Sequence, residues 1–316
     1  MSIAFASSYR VTAHIVPNPG ATRRASGARS RACPYAASGS VRTAGAALAD
    51  FARAWLARLP LATEDRQSAS RLGRDLIPEI LADDRTSRPY AQLTSLNAIL
   101  LGLALEQLRP KRAGARMVRA AEVALTALHG AGQLAAAAPG FGEPFAVVRA
   151  CQQLAELDLD DGWQPAHLPH VPPARPVDRP WAPPAMTDAL RDEPANLTGD
   201  GIVAILGLHR LAAIEEALRA APPTAAVTAV LVTGYPGELG PLARLTLTEL
   251  RGCLRAAVPS TAWPRLQIVH DESGALAAAA DVLARSDATE SAVRVKAGRI
   301  VARADGYGAC HAVASV

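Results

Sequence analysis

The sequence predicts an α plus α/β architecture: an Arg-rich tail over 1–42, a helical bundle over 43–157, a Pro-rich linker over 158–198 and an α/β domain over 199–316. Three observations carry this reading. Apolar residues recur at three- and four-residue steps through the first half, prolines crowd its end, and short β-branched runs then alternate with helical stretches. At 316 residues the chain also exceeds one ordinary core, which makes two parts the expected number.

The first 42 residues scatter Pro17, Pro19, Gly20, Gly27, Pro34 and Gly39 without a sustained period, so they read as a disordered tail. Their Arg-, Ser- and Ala-rich, acid-free composition is also that of an import segment, and it lacks the apolar core of a secretory signal. Leu48, Phe51, Trp55 and Leu59 then make one stripe of a helix that stops at Pro60. Thr63-Glu64-Asp65-Arg66 reads as the cap of a second, with Leu72, Leu76, Ile77, Ile80 and Leu81 inward and Pro78 inside it. Pro89 is expected in the first turn of a third, carrying Leu93, Leu96, Leu100, Leu103 and Leu108. Met117 to Leu134 and Phe145 to Leu157 complete five helices.

Eight prolines between Pro165 and Pro184 exclude a helix interior or a central strand. That stretch reads as a tether, or as a strap laying Trp163 and Trp181 on a neighbouring surface. Beyond Leu197 come strands at Ile202–Leu206, Val227–Thr233 and Leu266–Val269. The intervening helices run over Leu211–Ala221, with Glu215 and Glu216 outward, over Leu242–Ala257, and through Leu276–Leu283. A hairpin crosses Lys296-Ala297-Gly298-Arg299, and a short helix starts near Gly308.

The charge of +4 and pI near 9.1 invite a nucleic-acid reading, but the excess is local. Six arginines and no acid precede Asp50, only Lys111 and Lys296 are lysine, and aromatics are 4% of the chain. No clustered positive face for phosphates is expected. Leu93–Leu105, the most apolar run, is about 13 residues, short of the 18 or so that span a bilayer. Cys33, Cys151, Cys253 and Cys310 are widely spaced and read as reduced thiols of a cytoplasmic protein.

The strand–helix order, with Val293 to Val301 leading to Asp305-Gly306-Tyr307-Gly308, resembles the thioredoxin-like superfamily over about the last 115 residues. It is similar to the end of peroxiredoxin-type domains and to the C-terminal domain of flavin-dependent aromatic hydroxylases. The resemblance implies a nucleophilic cysteine at the start of the helix after the central strand, where the helix N-terminus favours thiolate. Gly234 to Pro241, taken as that stretch, holds no sulfur, and Asp287 to Ser291 lacks the proline expected before the next strand. The resemblance therefore implies a redox-silent module.

Candidate positions are few. Tyr235 and Glu238 lie in a turn that either cradles an anion or simply caps a helix with an acid. His270 ends a strand where α/β folds place ligands. His167-x-x-His170 is weak as a metal pair, and no metal site is expected. Cys253 and Cys310 are the candidate thiols, although Cys310 and its neighbour His311 point to different helix faces. Asp200-Gly201 and Gly207 read as turn residues. With no catalytic constellation, the chain reads as a non-catalytic accessory or structural subunit of a larger assembly. It has a protein partner, no nucleic acid, no membrane span and no cofactor that the sequence names. Two alternatives stand beside it: a thiol-dependent oxidoreductase or peroxidase using Cys253 or Cys310, and a small-molecule or cofactor binder using the bundle interior around Trp55, Tyr90 and Phe145.

Overall fold

The computed structural model describes residues 43–58, 77–109, 116–138, 140–163 and 165–316; the tail over 1–42 and the cap at Thr63–Arg66 lie outside them. Its helices follow the apolar stripes. In α1 (Ala44–Leu56) Thr43 caps the first turn, and Leu48, Phe51, Ala52 and Trp55 are buried. Then α2 (Asp84–Gln107) starts on Asp83, whose carboxylate accepts from the Arg85 amide at 2.9 Å. That cap moves the helix start upstream and leaves Pro89 inside the helix rather than in its first turn. Helices α3 (Val118–Ala137) and α4 (Pro144–Leu154) complete this layer.

The prolines of 158–198 belong to structure rather than to a free tether. Strand β1 (Arg175–Pro180) adds to the sheet's edge, the place where missing backbone donors do least harm. The chain then crosses one sheet face, burying Trp181, whose indole N–H donates to the Leu197 carbonyl at 2.6 Å. A minimal hairpin, β2 (Thr187–Asp188) and β3 (Glu193–Pro194), brings it to the opposite edge. There Ala189 donates to the Ile268 carbonyl at 2.7 Å and Asp188 accepts from the Ile268 amide at 3.1 Å. The β6 edge is thereby partly covered, and at the other end the proline-bearing β1 forms the edge.

Strand β4 (Gly201–Gly207) leads through Leu211–Ala213, a 3-10 turn, into α5 (Ile214–Ala220) and β5 (Ala226–Val232). Helix α6 (Pro236–Ala257) returns the chain to β6 (Leu266–His270). After α7 (Ala275–Ala279) come the hairpin β7 (Glu290–Lys296) and β8 (Arg299–Asp305), then α8 (Ala309–Ala314). The sheet order is β1-β8-β7-β4-β5-β6, with β4, β5 and β6 parallel and β7, β8 and β1 alternating against them. So β4 stands in the sheet's centre, and the Gly234–Pro241 stretch follows its neighbour β5.

Strand alternation sorts the core. Ile202, Ala204, Leu206, Val227, Ala229, Leu231, Leu266 and Ile268 face the helices, in the same cluster as Phe51, Leu100 and Leu125. Val203, Ile205, Val230, Val269 and Val293 face the strap and α7. Because α6 packs on the sheet and also against α1 and α2, the helical layer and the sheet share one core. The described residues form one compact unit. Among the described residues no helix is long and apolar enough to cross a membrane.

Three local readings are corrected. Glu215 and Glu216 are buried, at 3% and 7% exposure, because α5 is roofed by the helical layer and the strap rather than by solvent. Helix α7 stops at Ala279 and does not reach Leu283: Asp281 turns left-handed (φ 65°) and Val282 bonds back to the Ala277 carbonyl at 2.8 Å. Gly201 and Gly207 are the ends of β4, not turn residues. The hairpin turn is as expected, with Ala297 and Gly298 both at positive φ (49° and 70°).

Candidate functional site

The positions singled out in the sequence do not form one site. Tyr235 and Glu238 share the exposed first turn of α6, whose start at Pro236 suits a residue without an amide proton. His270, at the end of β6, lines an open cleft of about 450 Å³ together with Thr187, Asp192, Arg244, Thr248 and Arg251. The cations there are already paired: Arg244 with Glu272, and Arg251 with Asp192 at 3.2 Å.

Burial, helped by the Arg244 charge, pushes the His270 pKa down from 6.5 to about 4. The unfolded chain takes this proton near pH 6.5, the folded one only near 4, so acid favours unfolding across that window. This ring should cost about 1–3 kcal/mol of stability between pH 6.5 and 4, and His270→Asn should flatten that part of a urea-midpoint profile.

The three described thiols are all buried. Cys151 and Cys253 sit in the helical core, and burial pushes each pKa up to about 11. Cys310 on α8 is fully buried; burial first, then the charges of Glu290 and Glu216, raise it well above the usual thiol value. The bundle interior does not gather the three aromatics either. Trp55 packs on Phe51 and His129 under the Arg58 guanidinium, while Phe145 is exposed. Among the described residues no three His, Cys, Asp or Glu side chains could hold a metal ion.

The densest chemistry lies where the central strand β4 ends and the helical layer meets α5. Arg116, just before α3, reaches Glu215 with two nitrogens, each at 2.7 Å, and also pairs with Asp161. Burial works against its charge, but the bonds to Glu215 and Asp161 overcome it and hold the guanidinium ionised. Arg219 clamps Glu106 with two bonds of 2.7 Å and touches Glu215 at 3.1 Å. Glu106 and Asp161 in turn accept from the Met117 amide (3.0 Å) and the Arg119 amide (2.7 Å), so the same carboxylates cap α3.

Beside this network runs a line of three side chains. Glu216 Oε1 lies 2.9 Å from His167 Nε2, and His167 Nδ1 lies 3.2 Å from the Tyr307 hydroxyl. An ionised carboxylate only accepts, so the tautomer that pairs with it carries its proton on Nε2 and turns the Nδ1 lone pair to Tyr307. Burial and then the Glu290 charge raise the Glu216 pKa, opposed by His167 and Arg210. Arg210 stands 4.6 Å over the Tyr307 ring and binds Glu290 Oε2 through Nε at 2.8 Å. Glu290 Oε1 accepts from the Gly308 amide at 2.8 Å, and its carbonyl from the Gly306 amide at 2.7 Å. Positive φ at Gly306 (87°) and Gly308 (84°) lets this turn hold Tyr307 outward, and Val171 of the strap packs where a Cβ at residue 308 would fall. A cleft of about 310 Å³ adjoins, lined by Trp163, Pro165 and Tyr307 and by the charged Arg116, Glu122 and Glu215.

No family model and no curated protein matches this chain.

Sequence reasoning missed Glu216, Glu290, Arg210 and Arg116. Two adjacent acids on a short helix look solvated. The signal that could have found them is the balance of arginines around α5, since buried carboxylates need partners. His167 and Tyr307 were noticed separately, and 140 residues of chain separate them.

Proposed function

We propose that this chain is a redox-silent accessory protein, built on a thioredoxin-like sheet, that works by binding a protein partner in a larger assembly rather than by thiol chemistry. The observation that carries the reading is the state of its sulfur: Cys151, Cys253 and Cys310 are all buried with raised pKa values. The strand order supports the thioredoxin-like part, with a central strand followed by a helix, a parallel neighbour, an antiparallel hairpin and a closing helix on one face. On that order the redox position follows β4, at Leu208 to Ile214, which has no cysteine, as Gly234 to Pro241 has none. Exposed Leu134, Phe141 and Phe145, close in sequence at the α3–α4 turn, supply the apolar surface a partner would cover.

One preparation tests both halves. Native protein carrying Cys33→Ser should show no fast-reacting thiol and consume no peroxide. Tagged protein should bring a stoichiometric partner from its own cell, which Phe141→Asp with Phe145→Asp releases without lowering the melting temperature. Rapid thiol labelling with peroxide turnover sinks the redox-silent half. A partner retained equally by the double variant moves the contact elsewhere on the surface.

A further inference from the structure

The Tyr307–His167–Glu216 line has the connectivity of an activated nucleophile: a hydroxyl, a ring nitrogen within proton-transfer reach, and a carboxylate fixing the ring's tautomer. We propose that Tyr307 is a nucleophilic phenol that accepts an acyl group from an activated ester or thioester of a small carboxylic acid. This goes beyond the accessory reading: it uses none of the chain's cysteines and no protein partner, and either can fail while the other stands.

In the step, Tyr307 Oη attacks the acyl carbon, and the bond from that carbon to the alcohol or thiol leaving group breaks. The phenolic proton passes to His167 Nδ1, and the resulting imidazolium, held by Glu216, delivers it to the leaving group. An O-acyl tyrosine and a free alcohol or thiol remain; nothing is oxidised or reduced. Three features place these atoms for the work. The Gly306–Gly308 turn is tied down at both glycine amides by Glu290, so Tyr307 is presented rather than loose, yet it is 59% exposed to an incoming reagent. Arg210, 4.6 Å over the ring, lays positive charge beside the phenolate as it develops. The adjoining cleft of about 310 Å³, with Trp163 and Pro165 among its lining and Arg116, Glu122 and Glu215 also in it, has room for a small acyl group, which sets the donor's size. His167 touches the reacting atom; Glu216 acts through it as a positioning residue.

Tyr235 is the internal control. It is 54% exposed, close to Tyr307, and no ring nitrogen or carboxylate contacts its hydroxyl among the described residues. The experiment treats the full chain with p-nitrophenyl butyrate at pH 7.5 and maps acylated peptides by mass spectrometry, separating tyrosine esters from lysine amides by hydroxylamine sensitivity. Tyr307 should acylate at least about tenfold faster than Tyr235, since a positioned general base contributes roughly a hundredfold or more. Tyr307→Phe should remove that signal, His167→Gln should bring the rate at Tyr307 down to that of Tyr235, and Glu216→Gln should displace the pH midpoint of labelling. Rates at Tyr307 and Tyr235 within about twofold in the native chain would overturn the proposal. That comparison needs no variant to fold. Full-rate labelling in folded His167→Gln would overturn it equally.

Discussion

Replacing Arg116 by methionine should destabilise the fold by about 3–5 kcal/mol, read as a lower urea midpoint at unchanged m value. The size follows from what is left behind. Glu215 and Asp161 side chains are only 4% and 7% exposed, and Arg116 supplies Glu215 with two bonds and Asp161 with its cation. Methionine fills much of the stem's volume and removes the charge, so the loss reports uncompensated carboxylates more than a cavity. Adding Glu215→Gln to Arg116→Met should restore part of the loss, because a buried amide costs less than a buried unpaired ion. Arg219 stays on Glu215 at 3.1 Å, so the restoration should be incomplete. A single-variant loss under about 1 kcal/mol would mean the network is solvated and decorative, as most surface pairs are.

That network also shows which part of the molecule sequence reasoning reaches. Periodicity found α1, α3 and α4 because each buries an apolar stripe, and short apolar, β-branched runs found β4, β5, β6 and the hairpin because strands covered on both faces carry apolar residues continuously. The prolines of 158–198 exclude a helix interior or a central strand. They say nothing against an edge, which is where β1 lies. The burial of Glu215 and Glu216 was illegible for a different reason. Whether an acid on a short helix meets water depends on what lies over it, and here the cover is Arg116, Trp163 and His167, at least 48 residues upstream. Local sequence carries no record of such a partner. The candidate site suffered most, since the line from Glu216 through His167 to Tyr307 draws on α5, the strap and the turn before α8.

The glycines ending β4 sharpen the point, because composition marks them as turn residues and the structure uses them for close approach. Gly207→Ala should cost about 3 kcal/mol or more, at the upper end of what overpacking a tight contact costs. A Cβ there would fall on the carbonyl oxygens of Ser286 and Asp287 and 2.5 Å from the Asp287 carbonyl carbon, all backbone atoms. They have little room to retreat: the Gly207 amide donates to the Thr289 carbonyl and the His209 amide to the Asp287 carbonyl, both at 2.7 Å. Relief would have to part the end of β4 from the loop leading into β7. Arg210 leaves one side of that junction and Glu290 the other, so the damage should reach the pair that holds the Tyr307 turn. Gly234→Ala is the matched comparison, with nothing within 4 Å of its added methyl, and should leave the melting temperature close to native. If both variants melt together with the native chain, the 286–289 loop yields freely, and the rigidity credited to this end of the sheet is absent.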